Sequence, residues 1–254
     1  MLKKITPLIL TYNEAPNIER TLQRLIWANK IIVIDSYSTD ATLEILYSYP
    51  QIEVFQKKFD SFASQCNYGL GKISSEWVLS LDADYILTDE LIDEINALQA
   101  ETDINSYSVR FKYCVFGKPL RGTLLPPRKV LYKPEKAIYQ DDGHAHRVVV
   151  EGNSTILSAY IHHDDRKPLS RWLWAQERYT LLEVKKILET PVTELSLGDR
   201  IRKQKILAPL IILIYCLILK GGILDGWHGC YYAFQRVLVE IMLAIRLIEA
   251  EKLE

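Results

Sequence analysis

The sequence predicts an α/β protein: a mostly parallel sheet with flanking helices, followed by a C-terminal helical appendage. Three observations point there. Short apolar runs alternate with helical patterns over the first hundred residues, which is how a sheet with crossover helices is written. One of those runs, Ile31-Ile32-Val33-Ile34, is almost wholly β-branched, as expected of a strand covered on both faces. After Pro168 the alternation stops and long helical patterns take over. These changes divide the chain into residues 1–165 and residues 166–254.

In order, Ile5 to Thr11 reads as the first strand, with Tyr12-Asn13-Glu14 as the loop at its end. Asn13 is placed to cap the next helix, and Pro16 suits a helix start. The β-branched strand ends at Asp35, and a helix follows from about Ala41 to Tyr49. A strand over Ile52 to Phe55 leads to a helix over Phe62 to Leu70. The next strand passes through Trp77, Val78 and Leu79 and ends at Asp82, with a helix expected from Asp89 to Ala100. Tyr107 to Tyr113 alternates like a half-exposed strand, and further strands fall at Lys129–Tyr132, Arg147–Val150 and Thr155–Ile161. Helices are expected over 169–188, 197–219 and 225–250.

Composition narrows the class. With 48% apolar and 25% charged residues, the chain has the proportions of a globular protein with an ample core. Its 31 basic and 32 acidic residues nearly cancel, which gives no reason to expect a nucleic-acid partner. Cys66, Cys114, Cys216 and Cys230 are scattered without a CxxC pair, so they read as reduced core thiols of a cytosolic protein. The N-terminus enters a strand without a signal-peptide pattern, and no secretion is expected.

The chemistry lies at the strand ends. Asp82 and Asp84 are one residue apart after an apolar run; in an extended chain they face one side. Two such carboxylates need a cation or hydrogen-bond donors. A hard divalent ion such as Mg²⁺ fits, since it takes one or two carboxylates and completes its shell with water and phosphate. The plain alternative is an acidic turn in which Asp84 or Thr88 caps the following helix. Asn13, Glu14, Asp35, Asp82 and Asp84 all fall where ligands of parallel sheets bind, outside the carboxyl ends of the strands. Asp35 has its own plain alternative, as a strand-end residue capping the next helix.

Leu10-Thr11-Tyr12-Asn13-Glu14, then Val33 to Thr42, then Leu81-Asp82-Ala83-Asp84 resemble the ordered motifs of a family 2 glycosyltransferase with the GT-A fold. The likeness covers roughly residues 5–165. A loop with His144, then a helix carrying Arg178-Tyr179, is similar to the bacterial branch acting on lipopolysaccharide cores and other envelope glycans. The resemblance implies a nucleotide-sugar donor such as a UDP-sugar, a lipid-linked or envelope glycan acceptor, and Mg²⁺ or Mn²⁺. Thr11, Asn13, Glu14 and Asp35 would then line the nucleotide pocket. Asp82 would face the ribose or donor sugar, and Asp84 would be the principal metal ligand. The family inverts the anomeric centre in one displacement, which needs a general base; by resemblance this is Asp141 or Asp142. Gly143 allows a sharp turn beside Asp142 and favours it.

Further candidates surround these. His144 and His146 share a face if extended, and one is expected at the diphosphate or as a further metal ligand, here assigned to His146. His162-His163-Asp164-Asp165 offers a second metal site or a pocket wall. Arg128 and Arg147 suit phosphate or a charged acceptor. In the tail, Arg200, Arg202, Lys203 and Lys205 precede fourteen uncharged residues, Ile206 to Leu219. That run is too short to span a bilayer, so an interfacial helix on an anionic membrane is expected, peripheral at the inner face of the cytoplasmic membrane. A buried helix or a dimer contact is the alternative. Two rival functions are a non-catalytic membrane-associated scaffold and a sugar nucleotidyltransferase. The latter calls for a Gly-rich phosphate loop after the first strand, where Tyr12-Asn13-Glu14 stands.

Overall fold

The computed structural model describes residues 1–99, 103–122, 124–142 and 145–253, the side chains of residues 142, 145, 146 and 253 excepted. The chain forms two compact units: Met1–Cys114 with Leu124–Arg166, and Val115–Thr123 with Lys167–Glu254. The segment 115–123, expected within 1–165, therefore clusters with the C-terminal helices.

The first unit is built on strands β1 (Ile5–Thr11), β2 (Ile31–Asp35), β3 (Ile52–Gln56) and β4 (Trp77–Asp82), linked by helices α1 (Ile18–Gln23), α2 (Thr42–Tyr47) and α3 (Phe62–Leu70). These four strands are parallel, in the order β3-β2-β1-β4. The sheet continues through β8 (Arg128–Tyr132), β6 (Ile104–Val115), β11 (Asn153–His163) and β5 (Tyr85–Leu87). Only β8 and β5 run against the rest, so the sheet is mostly parallel. Helix α4 (Asp89–Ala97) ends earlier than expected, and its N-cap is Thr88, whose Oγ1 accepts from Leu91 N at 3.2 Å. Outside this path lie β7 (Lys118–Pro119) and the hairpin of β9 (Ala137–Asp142) and β10 (Ala145–Val150).

Strand β5 was not foreseen, and it shapes the site. Only three peptide links join Asp82 to Tyr85, a reach of at most about 11 Å. In sheet order β4 and β5 are four spacings apart, about 19 Å in a flat sheet. The sheet therefore curls, and its far edge returns to the Asp82–Asp84 turn. Thr21, fully buried on α1, holds that turn from below by donating to Ala83 O at 2.7 Å.

Alternation along the strands divides the core between the two faces. Ile9, Ile31 and Val33 join Leu22, Leu46 and Leu91 on one side. Leu8, Ile32 and Ile34 meet Ala63, Cys66 and Tyr139 on the other. Strand β2 is buried at every position, as its β-branched run implied. Gly69 lets α3 approach the sheet, since a Cβ there would lie 2.6 Å from Leu8 Cδ1.

The second unit contains α5 (Leu169–Glu189), α6 (Leu197–Lys203), α7 (Leu207–Ile214) continued by a π-turn over Tyr215–Leu219, and α8 (Trp227–Leu253). The single helix expected over 197–219 is broken at Gln204-Lys205-Ile206, where Lys205 has φ +54°. Among the described residues no helix is long and apolar enough to cross a membrane. The polarity of this unit is inverted. Arg202 donates to both carboxylate oxygens of buried Glu240 at 2.9–3.2 Å and pairs with Asp199 at 3.3 Å and Glu183 at 3.7 Å. Outside, Phe234, Leu238, Ile241, Ile245 and Ile248 form an exposed apolar stripe on α8.

Candidate active site

At the end of β1 the chain turns through Asn13, held at φ +54°, a left-handed conformation that Asn tolerates better than most residues. Asn13 does not cap α1. Its N–H donates to Ser38 Oγ at 2.9 Å, and its side-chain oxygen accepts from Thr39 N at 2.7 Å. The loops after β1 and β2 are thereby tied together.

Asp35 anchors the same junction. Its Oδ1 accepts from Thr11 Oγ1 (2.9 Å) and Ser38 Oγ (2.5 Å), and its Oδ2 from Ser38 N (2.9 Å) and Gln56 Nε2 (3.4 Å). Both oxygens are occupied and the residue is 0% exposed. Asp35, expected to line the nucleotide pocket, is thus joined here to both loops, and buried Thr11 shares that network. Tyr12 and Tyr37 are exposed aromatic side chains on those loops. Glu14 also serves the scaffold, with its N–H on Thr42 Oγ1 at 2.8 Å and its carboxylate accepting from Asn17.

The second cluster gathers around Asp82 and Asp84, half-buried and buried respectively. His163, the last residue of β11, places Nε2 3.1 Å from Asp84 Oδ2. Burial opposes protonation of His163, but the charge and hydrogen bond of Asp84 outweigh it and raise its pKa. His163 Nδ1 is buried and has no hydrogen-bond partner among the described residues. The ring is wedged edge-on between Tyr85 and Tyr113, with centroids 5.3 and 5.0 Å away. Arg128 Nη1 donates to Tyr85 Oη at 3.3 Å. Burial works against the guanidinium, yet Tyr85, Asp82 and Asp84 hold it charged. Tyr85 itself is kept neutral by burial and by the negative charge of Asp82.

The exit of β11 is locked beside this cluster. Asp164 N donates to Asp84 O at 3.0 Å, and the buried Asp164 carboxylate accepts from Arg20 (2.6 Å) and Arg166 (2.9 Å). Asn17 bridges Asp165 and Glu14. Within His162-His163-Asp164-Asp165, His163 lies against Asp84 and Asp164 against two arginines, and among the described residues no group of three metal-binding side chains is gathered. Sequence reasoning missed the pairs His163–Asp84, Tyr85–Arg128 and Arg20–Asp164. Of these, only the histidine at the last strand's carboxyl end carried a sequence signal.

The hairpin of β9 and β10 contributes differently from expectation. Tyr139 donates its N–H to Asn67 Oδ1 and accepts from Asn67 Nδ2 at its carbonyl, while its hydroxyl meets Ser80 Oγ at 2.8 Å. Asp141 Oδ1 accepts from Ala63 N at 3.2 Å, so this carboxylate caps the N-terminus of α3. Arg147 is exposed on β10, opposite Gln140, and no described contact joins it to the two clusters. The side chains of Asp142 and His146, and His144 altogether, lie outside the described residues.

The pattern of glycosyl transferase family 2 matches residues 8–161, more than half of the chain, from within β1 into β11. The chain belongs to glycosyl transferase family 2. Among relatives in this family, an uncharacterized glycosyltransferase of Rickettsia bellii is 36% identical over 106 residues, which are 41% of this chain and 36% of that one. The glycosyltransferase SunS of Bacillus subtilis is 36% identical over 92 residues, 34% of this chain and 21% of SunS. The chain thus matches about a third or less of these relatives' lengths. TarS of S. aureus, residues 1–349 with UDP-GlcNAc, shares the fold with a TM-score of 0.51 at 15% identity, over 98% of this chain and 92% of that one. The expected GT-A fold is thereby the observed one.

Among the described residues no group of three His, Cys, Asp or Glu side chains could hold a metal. Asp84 with Asp82 still fits a hard cation that takes one or two carboxylates and fills its shell from phosphate and water.

Proposed function

We propose that this chain transfers a glycosyl group from a nucleotide-sugar to a lipid-linked or envelope saccharide, inverting the anomeric centre. The observation that carries this reading is the pair Asp82 and Asp84 at the carboxyl end of β4, in a chain of glycosyl transferase family 2. TarS, a protein of this fold, was solved with UDP-GlcNAc, which makes a UDP-sugar the donor to try first. Tyr12 and Tyr37 present aromatic faces to a nucleobase at the ends of β1 and β2. Asp84 and Asp82 would hold Mg²⁺ or Mn²⁺, with Asp84 oriented by His163. When bound there, the ion supplies neutralising charge for the leaving diphosphate. Arg128, kept charged beside the carboxylates, offers guanidinium donors to phosphate or to an acidic acceptor. With Asp141 capping α3, the general-base role falls to Asp142.

Titration calorimetry with UDP, GDP and CMP, each with and without Mn²⁺, tests the donor site. The expected result is Mn²⁺-dependent UDP binding that Asp84→Ala abolishes. Asp142→Asn is expected to keep that binding and lose transfer by about 10²–10⁴-fold, the usual range for a general base. UDP affinity that ignores both Mn²⁺ and Asp84→Ala would overturn the metal assignment.

A further inference from the structure

The inverted polarity of the helical unit calls for a surrounding other than water. Its interior encloses Arg202 among Glu183, Asp199 and Glu240, with Lys186 3.7 Å from Asp199. Its exterior carries Ile206, Leu210, Ile214 and Ile218, spaced four apart along one side of the segment through α7 and the π-turn, each more than half exposed. In water this arrangement forgoes apolar burial and still bears the desolvation of charge. Next to hydrocarbon the exposed apolar side chains gain burial, and the charges enclosed in the unit need not meet the lipid.

Charge says what covers the face. From Arg200 to Leu224, and again from Val115 to Gly122, there is no acidic residue. The basic collar expected from the sequence is largely engaged within the unit. Arg202 is in the ion cluster, Arg200 bonds the carbonyls of Leu195 and Thr193, and Lys205 pairs with Glu251. The basic residues left beside the apolar face are Lys203, Lys220, Lys118 and Arg121, the last largely exposed although it pairs with buried Asp225. Lys118 and Arg121 come from the segment 115–123. Its exposed Phe116, at φ +48°, packs on exposed Trp227 with ring centroids 5.8 Å apart. An apolar face bordered by cations and aromatic rings, on segments that carry no acidic residue, complements an anionic lipid surface. A second copy of the chain would set the same cations against one another across a two-fold axis.

We propose that the helical unit docks on anionic membranes, laying the Ile206–Ile218 face into the interface with Phe116 and Trp227 at its border. The thirteen residues from Leu207 to Leu219 rise about 20 Å, short of the roughly 30 Å of a hydrocarbon core, so the segment lies in the interface and does not cross it. Docking is independent of the transferase reading, because it needs neither donor nor acceptor.

Co-sedimentation of the full chain with phosphatidylglycerol–phosphatidylethanolamine vesicles, and with phosphatidylcholine vesicles, reads the proposal directly. The wild type is expected to bind the anionic vesicles more tightly, and less so as salt rises. The double variant Ile214→Ser/Ile218→Ser, which changes only exposed side chains, should keep its melting temperature and lose vesicle affinity by about tenfold or more. Lys118→Ala/Lys203→Ala/Lys220→Ala should lose the preference for anionic lipid. Absence of wild-type binding to either vesicle, or unchanged binding by the isoleucine variant, overturns the proposal. So does concentration-dependent self-association without vesicle binding, if the same isoleucine pair abolishes it; that result assigns the face to a second copy.

Discussion

The two units place charge and apolar surface in opposite ways. In the first, Leu8, Ile9 and all of β2 are withdrawn from water, while carboxylates gather at the strand ends. In the second, Glu183, Asp199 and Glu240 are buried around Arg202, and isoleucines and leucines cover the outside. The difference teaches that charge inside a fold serves two ends. Around Asp84 it gathers the candidate site with His163 and Arg128, and around Arg202 it joins helices α5, α6 and α8.

The comparison breaks first at Glu240. Glu240→Ala leaves Arg202 buried with weaker partners and should cost about 3–5 kcal/mol of stability in a denaturant melt. Arg202→Met, which leaves Glu183, Asp199 and Glu240 buried without the shared guanidinium, should cost at least as much. A single change that costs nothing would mean the cluster does not hold the helices.

Apolar truncation sharpens the contrast next. Ile34→Ala, in the fully buried β2, should lose about 2–5 kcal/mol. Ile218→Ala, with its side chain largely exposed, should stay within about 0.5 kcal/mol in the absence of lipid. Similar losses at the two sites would show that the outer face of the helical unit is covered in solution.

The smallest effect is chemical. Burial, and then the charge of Asp164, push the Cys114 thiol up to about 12; burial raises Cys66 further, with Asp82 adding to it. Since the thiolate is the reactive form, neither thiol should react with a disulfide reagent in the native protein at neutral pH. Half-buried Cys230 should react first, and all four only on unfolding. Early labelling of Cys66 or Cys114 would reveal that the first unit opens locally.

Much of the first unit was legible in the sequence because its signals are local. The period-two and β-branched runs placed β1 to β4, and the ends of those strands pointed to Asn13, Asp35, Asp82 and Asp84. Ser61 and Thr88 are the N-caps of α3 and α4, as short polar residues before apolar periodicity imply. What local pattern could not reveal was which strand-end groups face a ligand and which face protein. Asp35 and Asp141 look like site carboxylates in the sequence, and the fold engages one with Thr11 and Ser38 and the other with the N-terminus of α3.

By itself, then, the sequence determined the four parallel strands β1 to β4, the helical character of the tail and the family motifs, all of which follow from the preferences of neighbouring residues. Tertiary structure alone decided the rest. It brought His163 to Asp84 across 79 residues, because the sheet curls until β5 and β11 border the turn after β4. It gathered Arg202 with Glu240 across 38 residues and so removed a basic side chain from the surface. It also assigned residues 115–123 to the helices, where Phe116 meets Trp227. The physical reason is common to all three. Ion pairs and packing join groups distant along the chain, and their free energy depends on burial, which local sequence pattern does not record.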